Sequence, residues 1–391
     1  MSYRVILAFV AAILLLVSSA PSAQQGAQIG RPGLDPAAIA AAVERVLTRA
    51  PRGFEALFAP SQAGVRVLDV DVTKVSPALD RITIDLSQKA ITYDPSGEAE
   101  ALIDQILSST AALTAGSREV EYRFLIEGLP LQQFLSRPVP VSSGRARGLR
   151  DGGQAVVSAG HGWYWNEASA SWRLQRDYYW GIVEDVVNWD IANFVRNELV
   201  DAKLDVRPVR HPLRDDQVGQ SGHPAWQESA QYFLRGLGAP PEVWNVGVDN
   251  YARDINSRPF YANWIDATVL ISIHNNGGGG TGTETWYDNT NGYEAESRRL
   301  AEIINRRVVA SIRALYDANW PDRGLRTCNG CHGENRLALR PAVILEVAFM
   351  DTKIPDNTAL HSETFKQVVA LGIREAIAEW EATQGAVSTF R

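Results

Sequence analysis

The sequence has little cysteine, no excess of positive charge and few long hydrophobic runs. Its two cysteines form a single CxxC, too few for a cysteine-rich zinc site. The net charge of −7 and the lack of a basic run argue against a nucleic-acid partner, because phosphate binding needs a basic face. Beyond the N-terminus, no hydrophobic stretch reaches the roughly 20 residues that a membrane span needs. With 391 residues, 45% of them apolar, the chain is long enough for two domains.

The N-terminus has the pattern of a secretory signal. Arg4 is followed by an unbroken apolar run from Val5 to Val17 and then by small residues up to Ala23. We expect cleavage near Ala23, so that residues 1–23 form a signal peptide; the alternative is an uncleaved N-terminal anchor. Either interpretation predicts a secreted or periplasmic protein of the cell envelope, without a stable membrane span once the signal is removed.

Two segments rich in turn-forming residues divide the rest of the chain. Residues 24–35 and residues 136–151 have the composition of linkers. Between them, residues 36–135 predict a small α+β domain that contains neither histidine nor cysteine. Its expected elements are helices over Pro36–Thr48 and Glu98–Leu113 and strands over Val65–Val72, Arg81–Leu86 and Val120–Ile126.

The amino-acid sequence of this small domain resembles the GerMN-type domain named for spore-germination and sporulation proteins. The resemblance rests on ITIDLSQKAITYDPSGEAEALIDQIL followed by VEYRFLIEGLPLQQF. It covers residues 36–135 and includes no catalytic motif. It implies a binding or positioning role outside the membrane, for instance toward a protein partner in the envelope.

Residues 152–385 alternate strands and helices, which predicts an α/β domain with a mostly parallel sheet and helices on both faces. Residues 215–249 interrupt this alternation of strands and helices, which predicts an insertion. The expected strands cover Ala155–Ser158, Leu204–Val209, Ala267–Ile273, Thr283–Tyr287 and Ala342–Val347. The expected helices cover Ile182–Lys203, Tyr293–Tyr316 and Ser362–Glu381.

Three side chains in this domain predict a metal site. His161 and His274 each follow a predicted strand, and Glu184 lies in the first turn of a predicted helix. Since open α/β sheets bind ligands beyond the carboxyl ends of their strands, we expect these residues at one edge. Two histidines and one carboxylate are typical of a catalytic zinc ion that keeps its fourth position for water.

Glu346 is the candidate catalytic base. It ends the apolar run from Ala342 to Leu345, where a carboxylate is costly unless it has a role or a partner. Each residue also has a structural interpretation. His161 suits a glycine-flanked turn, His274 a buried core position and Glu184 a helix N-terminus. Glu346 could instead pair with an arginine such as Arg340 or Arg326.

The motifs around these residues resemble the zinc-dependent N-acetylmuramoyl-L-alanine amidases with an amidase_3-type catalytic domain. The matching stretches are Gly160-His161-Gly162, Glu184 shortly before Asn188, Ser272-Ile273-His274-Asn275, Gly282-Thr283-Glu284-Thr285 and Pro341 to Glu346. The resemblance implies that His161, Glu184 and His274 bind Zn²⁺. It also implies that Glu346 is catalytic and that the substrate is the amide between N-acetylmuramic acid and L-alanine of peptidoglycan.

Some features leave alternatives open. The aromatic residues that follow Gly162, beginning with Trp163-Tyr164-Trp165, could stack on sugar rings or simply pack over the sheet. A zinc peptidase or amidase acting on another extracellular polymer and a non-catalytic wall-binding protein are the alternative functions. Cys328 and Cys331, followed by His332, have the spacing of c-type haem attachment, but a disulfide is the expected state in an oxidising compartment.

Overall fold

The computed structural model describes residues 33–48, 64–87, 90, 98–135 and 154–388. The predicted signal peptide, most of the first linker and the whole second linker lie outside these residues. Fourteen strands and ten α-helices are found in the described part of the chain. The strands are β1 Val67–Lys74, β2 Leu79–Leu86, β3 Glu119–Ile126, β4 Leu129–Pro130, β5 Gln154–Ala159, β6 Tyr164–Asn166, β7 Ser171–Arg173, β8 Tyr178–Tyr179, β9 Ile182–Val183, β10 Asp205–Pro208, β11 Val269–Asn276, β12 Thr283–Tyr287, β13 Asp322–Cys328 and β14 Ala342–Phe349.

Most of the helices lie between these strands in the sequence. They are α1 Pro36–Thr48, α2 Glu98–Thr110, α3 Glu184–Asp201, α4 Ala230–Gly236, α5 Pro241–Trp244, α6 Asn250–Trp264, α7 Glu294–Leu315, α8 Gly333–Arg336, α9 Thr358–His361 and α10 Glu363–Ser388. Among the described residues, no helix is long and apolar enough to span a membrane.

One large sheet runs through the described chain in the order β1-β2-β3-β13-β12-β14-β11-β5-β10, with β4 beside β3. The pairs β2–β3, β3–β13, β12–β13, β11–β14, β5–β11 and β5–β10 are parallel, whereas β12–β14 and β1–β2 are antiparallel. The predicted α/β class with a mostly parallel sheet is therefore confirmed.

Apolar residues on both faces of the central strands explain the helices on either side. Along β11, Val269, Ile271 and Ile273 belong to the core that includes residues of α3, α7 and α10. Leu270, between them, belongs to the core formed with α4 and α6. Since successive side chains of a strand point to opposite faces, a continuous apolar run requires cover on both sides.

The small N-terminal module, residues 36–135, shares its sheet with the rest of the chain. β3 pairs with β13 in parallel, and Arg326 of β13 donates to the carbonyl oxygens of Thr114 and Ser117. Trp286 and Ile344 from the second half pack in the core of the module. The module is therefore joined to the α/β half by strand pairing and packing, while the proposed domain boundaries themselves stay a prediction.

Several elements differ from the sequence-based expectation. The helix expected from Ile182 begins at Glu184, because Ile182 and Val183 pair with Tyr179 and Tyr178 as a short hairpin. The strand expected to end at Ile273 continues to Asn276. Helix α6 and strand β13 were not predicted at all. Nearly every residue of α6 is buried, so its polar sequence lacks the apolar stripe by which surface helices are identified.

The backbone at the junction of β3 and β13 gives a test of this architecture. Gly324 has φ +73°, and a Cβ there would overlap the backbone oxygen of Arg118. We expect Gly324→Ala to lower the free energy of unfolding by about 2 kcal/mol or more, since the left-handed conformation alone costs roughly 1–2 kcal/mol. Urea unfolding measures this difference. Gly292→Ala is the matched control, because a Cβ there has no atom within 4 Å. Equal stability of the two variants would contradict the described junction.

Candidate metal centre

The register of the parallel strands brings the predicted residues to one edge of the sheet. Ile273 of β11 pairs with Ala159 of β5, and His274 pairs with Glu346 of β14. His161 lies just beyond the end of β5. Because paired residues on neighbouring strands point to the same face, His274 and Glu346 lie side by side.

The Gly160-His161-Gly162 turn is shaped by the close approach of its neighbours. His161 has φ +64°, an uncommon conformation for a residue with a side chain. A Cβ at Gly160 would lie 2.6 Å from both ring nitrogens of His274. Arg210, buried behind the turn, donates to the carbonyl oxygens of Gly160 and Asp185. Glycine at position 160 is therefore required for the His274 ring to occupy its place.

Glu184 lies at the centre of the group. Its Oε1 is 3.1 Å from His161 Nε2 and 3.1 Å from His274 Nδ1. The same oxygen accepts hydrogen bonds from Asn188 Nδ2 at 3.0 Å and from the backbone N–H of Asn275 at 3.1 Å. As the first residue of α3, Glu184 also benefits from the positive end of the helix dipole.

The three side chains fit a zinc ion. One ligand atom from each of His161, Glu184 and His274 lies within 4.8 Å of the others, and all three residues are buried. The Nε2 atom of His161 is buried. Although it lies near Glu184, it has no hydrogen-bond partner among the described residues. A buried nitrogen lone pair without a donor is costly unless a cation binds it. Two imidazoles and one carboxylate are a donor set that Zn²⁺ accepts readily.

The second ring nitrogen of each of these two histidines contacts another side chain. His161 Nδ1 lies 3.0 Å from Gln175 Oε1, and His274 Nε2 lies 3.0 Å from Glu334 Oε1. Metal-binding histidines usually donate their second N–H in this way, which fixes the ring orientation. Sequence reasoning missed both Gln175 and Glu334, since neither follows a strand that was predicted from the sequence or belongs to a recognisable spacing.

The electrostatic potential of the group favours a cation. Burial works to lower the pKa of His274, but Glu334 and Glu184 outweigh it and raise the pKa to about 10. Burial would raise the pKa of Glu184, but His161, His274 and Arg176 hold it well below its usual range. Burial, aided by Arg176, lowers the pKa of His161. Glu184 therefore stays charged and His161 is a neutral imidazole suited to bind metal, while metal binding displaces a proton from His274.

Glu346 has none of the arginine partners considered as alternatives. Arg326 lies 3.4 Å from Glu284, and Arg340 bonds instead to Asn263. Oε2 of Glu346 is buried and has no hydrogen-bond partner among the described residues. Burial raises its pKa well above the usual range, and the nearby Glu184 and Glu284 act in the same direction. Glu346 is thus a partly buried residue, with one enclosed carboxyl oxygen, that can accept or release a proton beside the metal group.

A third missed residue, Asp185, organises the loop that carries Gln175. Its buried carboxylate accepts hydrogen bonds from the backbone N–H groups of Gly162 at 2.8 Å, Gln175 at 2.7 Å and Arg176 at 3.1 Å. It thereby ties the His161 turn and the loop before β8 to the start of α3. An acidic residue next to Glu184 in the first helical turn was the available signal, but helix capping explains that position equally well.

The metal group opens into a cavity of about 290 Å³ with walls from both halves of the chain. Helix α2 of the N-terminal module supplies Asp104, Gln105 and Ser108 to its lining. Arg176 lies between the two halves, with Nη2 3.5 Å from Asp104 and Nε 3.4 Å from Glu184 Oε2. The remaining lining includes His161, His274, Glu334, Glu346, Tyr179 and Asp351.

Cys328 and Cys331 lie at one side of this region and form a disulfide bond, in agreement with the prediction. Neither sulfur is free for a thioether bond to haem. His332 lies beside them, with Nδ1 3.7 Å from Cys328 Sγ, and these three residues could hold a metal only if the disulfide were reduced. His211, His223 and His361 belong to neither group.

The aromatic residues after Gly162 fall into different environments. Trp163 stacks on His223 with ring centroids 3.7 Å apart, and Tyr164 is buried. Tyr178 and Trp180, by contrast, are exposed at the turn that leads into β9. Packing explains the first pair, while both interpretations of the exposed pair stay open.

Comparisons with known proteins agree with this arrangement. Residues 156–379 match the family model Amidase_3, described as N-acetylmuramoyl-L-alanine amidase. A search of curated proteins finds no match.

Solved structures are also similar. The catalytic domain of CwlV, an N-acetylmuramoyl-L-alanine amidase from Bacillus (Paenibacillus) polymyxa var. colistinus, is 24% identical over 58% of this chain and 97% of that chain, with a TM-score of 0.37. Ami1 from Mycobacterium smegmatis, an N-acetylmuramyl-L-alanine amidase, is 16% identical over 59% and 98%, with a TM-score of 0.42. The CwlD amidase from Clostridioides difficile, in complex with the GerS lipoprotein, is 15% identical over 59% and 99%, with a TM-score of 0.39.

The close contact between Gly160 and His274 gives a test of the metal group. We expect Gly160→Ala to displace the His274 ring and to weaken zinc binding by tenfold or more, because ligand positions tolerate little displacement. Competition with a chelator of known affinity measures the change. Gly277→Ala is a control in the same cavity, since a Cβ there has no atom within 4 Å. Unchanged zinc affinity in Gly160→Ala would contradict the assigned role of His274.

Proposed function

The chain belongs to the Amidase_3 family of N-acetylmuramoyl-L-alanine amidases, enzymes that cleave peptidoglycan, and we propose that its activity depends on zinc bound by His161, Glu184 and His274. The observation that carries this proposal is the buried Nε2 of His161, which faces Glu184 and has no hydrogen-bond partner among the described residues. The proposed ligands come from two strand ends and a helix N-terminus of one sheet edge.

When bound, zinc lowers the pKa of a water molecule and polarises the carbonyl group that the water attacks. The three residues would leave one position of the metal to water or substrate, and they line the cavity from which either could enter. Outer hydrogen bonds keep both imidazole rings oriented.

Glu346 is the proposed general base and acid. Its register position beside His274 places its carboxyl group at the metal group, and the unpaired Oε2 can receive a proton from the attacking water. The same oxygen can then pass this proton to the nitrogen of L-alanine as the amide bond breaks. The raised pKa of Glu346 favours a carboxyl group that can hold the proton it takes from water.

The N-terminal half supports two narrower proposals. The signal-like sequence before Ala23 would export the chain to the periplasm or the outside of the cell, where peptidoglycan lies. The module over residues 36–135 is proposed to be a GerMN-like domain that positions the enzyme on its substrate or on a partner in the envelope. The contribution of α2 to the cavity wall supports a positioning role.

A conservative substitution tests the proposed base. We expect Glu346→Gln to lower kcat by about 10²- to 10⁴-fold, the usual contribution of a general acid–base group, while zinc content stays near that of wild type. The assay follows release of stem peptides that begin with L-alanine from peptidoglycan, by mass spectrometry. Retention of full activity would show that another residue moves the proton.

Chelation tests the metal. Since the proposed activity depends on zinc bound by the three ligands, removing zinc should abolish peptide release and adding zinc back should restore it. Metal analysis of the same samples gives the stoichiometry, which we expect to be about one zinc per chain. Activity that survives complete removal of metal would contradict zinc dependence without affecting the family assignment.

Export has its own test. Expression of the full chain in a bacterial host, followed by fractionation and intact-mass measurement, should yield an extracytoplasmic product that begins shortly after Ala23. A product that retains its N-terminus and sediments with membranes would instead indicate an uncleaved anchor. Replacing part of the run from Val5 to Val17 with charged residues should keep the protein in the cytoplasm.

A further inference from the structure

A chain of buried side chains joins the two proposed histidine ligands behind the metal group. From His161, the contacts pass to Gln175, then to Asp254 and Arg258 on α6, then to Glu334 on α8, and finally to His274. Gln175, Asp254 and Arg258 are 0% exposed and Glu334 is 4% exposed. The path therefore lies in the interior, where a polar group without a partner is costly.

The first half of the path determines which way Gln175 points. Its Nε2 donates to Asp254 Oδ2 at 2.8 Å, so its Oε1 faces His161 Nδ1 at 3.0 Å. An amide oxygen can only accept, and the Nδ1 of His161 must therefore carry the proton. This leaves the lone pair of His161 on Nε2, the nitrogen that faces Glu184.

The second half does the same for His274. Arg258 donates from Nη2 to Asp254 and from Nη1 to Glu334 Oε1, and these two ion pairs are fully enclosed. An ionised Glu334 can only accept, so the Nε2 of His274 carries the proton in that contact. This leaves Nδ1 as the nitrogen of His274 on the side of Glu184, 3.1 Å from its Oε1.

Asp254 and Arg258 connect the two halves. They lie one helical turn apart on α6, and Asp254 Oδ2 receives both the Gln175 amide and the Arg258 guanidinium. The other oxygen of Asp254 accepts from the backbone N–H of Ala230 at 2.7 Å, which fixes the carboxylate. A change at either end of the path therefore alters the partners that the other end depends on.

We propose that Gln175, Asp254, Arg258 and Glu334 form a positioning ring that sets the tautomer and orientation of both histidines, and thereby couples the two ligands in metal binding. This inference rests on the proposed zinc site. The four residues do not touch the reacting atoms; they act through His161 and His274. The ring also explains why so polar a helix as α6 is buried in the interior.

The test measures zinc affinity rather than turnover. Full-length wild type, Gln175→Met and Glu334→Gln are compared by competition with a chelator of known affinity. We expect each variant to bind zinc about 10- to 100-fold more weakly than wild type, the usual effect of losing an outer partner of a metal ligand. Glu334→Ala should weaken binding more than Glu334→Gln, because glutamine still offers an acceptor to His274.

A control variant separates this effect from the general loss of a buried carboxylate. Glu119 is a buried carboxylate that pairs with Arg298 at 2.8 Å, and it does not line the metal cavity. Glu119→Gln should leave zinc affinity within about twofold of wild type. Thermal unfolding of every variant in the presence of chelator shows whether the fold is retained.

The double variant tests the ring as a unit. Because both ends share Asp254 and Arg258, the loss of affinity in Gln175→Met/Glu334→Gln should differ from the product of the two single losses by more than about threefold. Multiplicative losses would reduce the ring to two separate contacts and overturn the coupling. Wild-type affinity in both single variants would overturn the positioning role while leaving the proposed zinc site intact. A wild-type protein that takes up no zinc would overturn the zinc site and the ring together.

Discussion

The arrangement depends on one buried carboxylate. Glu184 Oε1 lies within 3.1 Å of a nitrogen from each of two histidines, and the residue is almost fully buried. A charged group in such a place is stable only if several partners compensate for its lost hydration. The N-terminus of α3, the amide of Asn188 and the backbone N–H of Asn275 supply that compensation. The glycine turn at residue 160 and the positive φ of His161 follow from the need to bring a second imidazole to the same oxygen.

The sheet explains why these residues could be predicted. Apolar runs such as those of β11 and β14 are identifiable from sequence, and the register of parallel strands brings their carboxyl ends together. His161 and His274 follow predicted strands, Glu346 ends one and Glu184 lies in the first turn of a predicted helix, so the pattern predicted a common edge for them. The helix that begins at Glu184 instead of Ile182 shows the usual limit, since a local hairpin competes for the first two residues.

The outer residues of the site lie beyond what such patterns show. Gln175 belongs to a loop shaped by Asp185, and Glu334 belongs to a helix of a single turn after the disulfide. Asp254 and Arg258 lie on a helix that has no amphipathic pattern because it is buried on nearly all sides. The wall that α2 adds to the cavity was also not predicted, because it depends on the pairing of β3 with β13 across a long stretch of chain. These features arise from tertiary contacts between distant segments, which a single sequence does not reveal.

X-ray absorption at the zinc edge of the purified chain tests the central claim most directly. Two metal-binding groups are possible in the described residues, and they differ in their donor atoms: His161, Glu184 and His274 offer nitrogen and oxygen, whereas Cys328, Cys331 and His332 offer sulfur. The account predicts a spectrum of two imidazole nitrogens with oxygen ligands and no sulfur, since the two cysteines are joined in a disulfide. Sulfur in the first coordination sphere would contradict this expectation. So would a spectrum that stays the same when His161 and His274 are replaced.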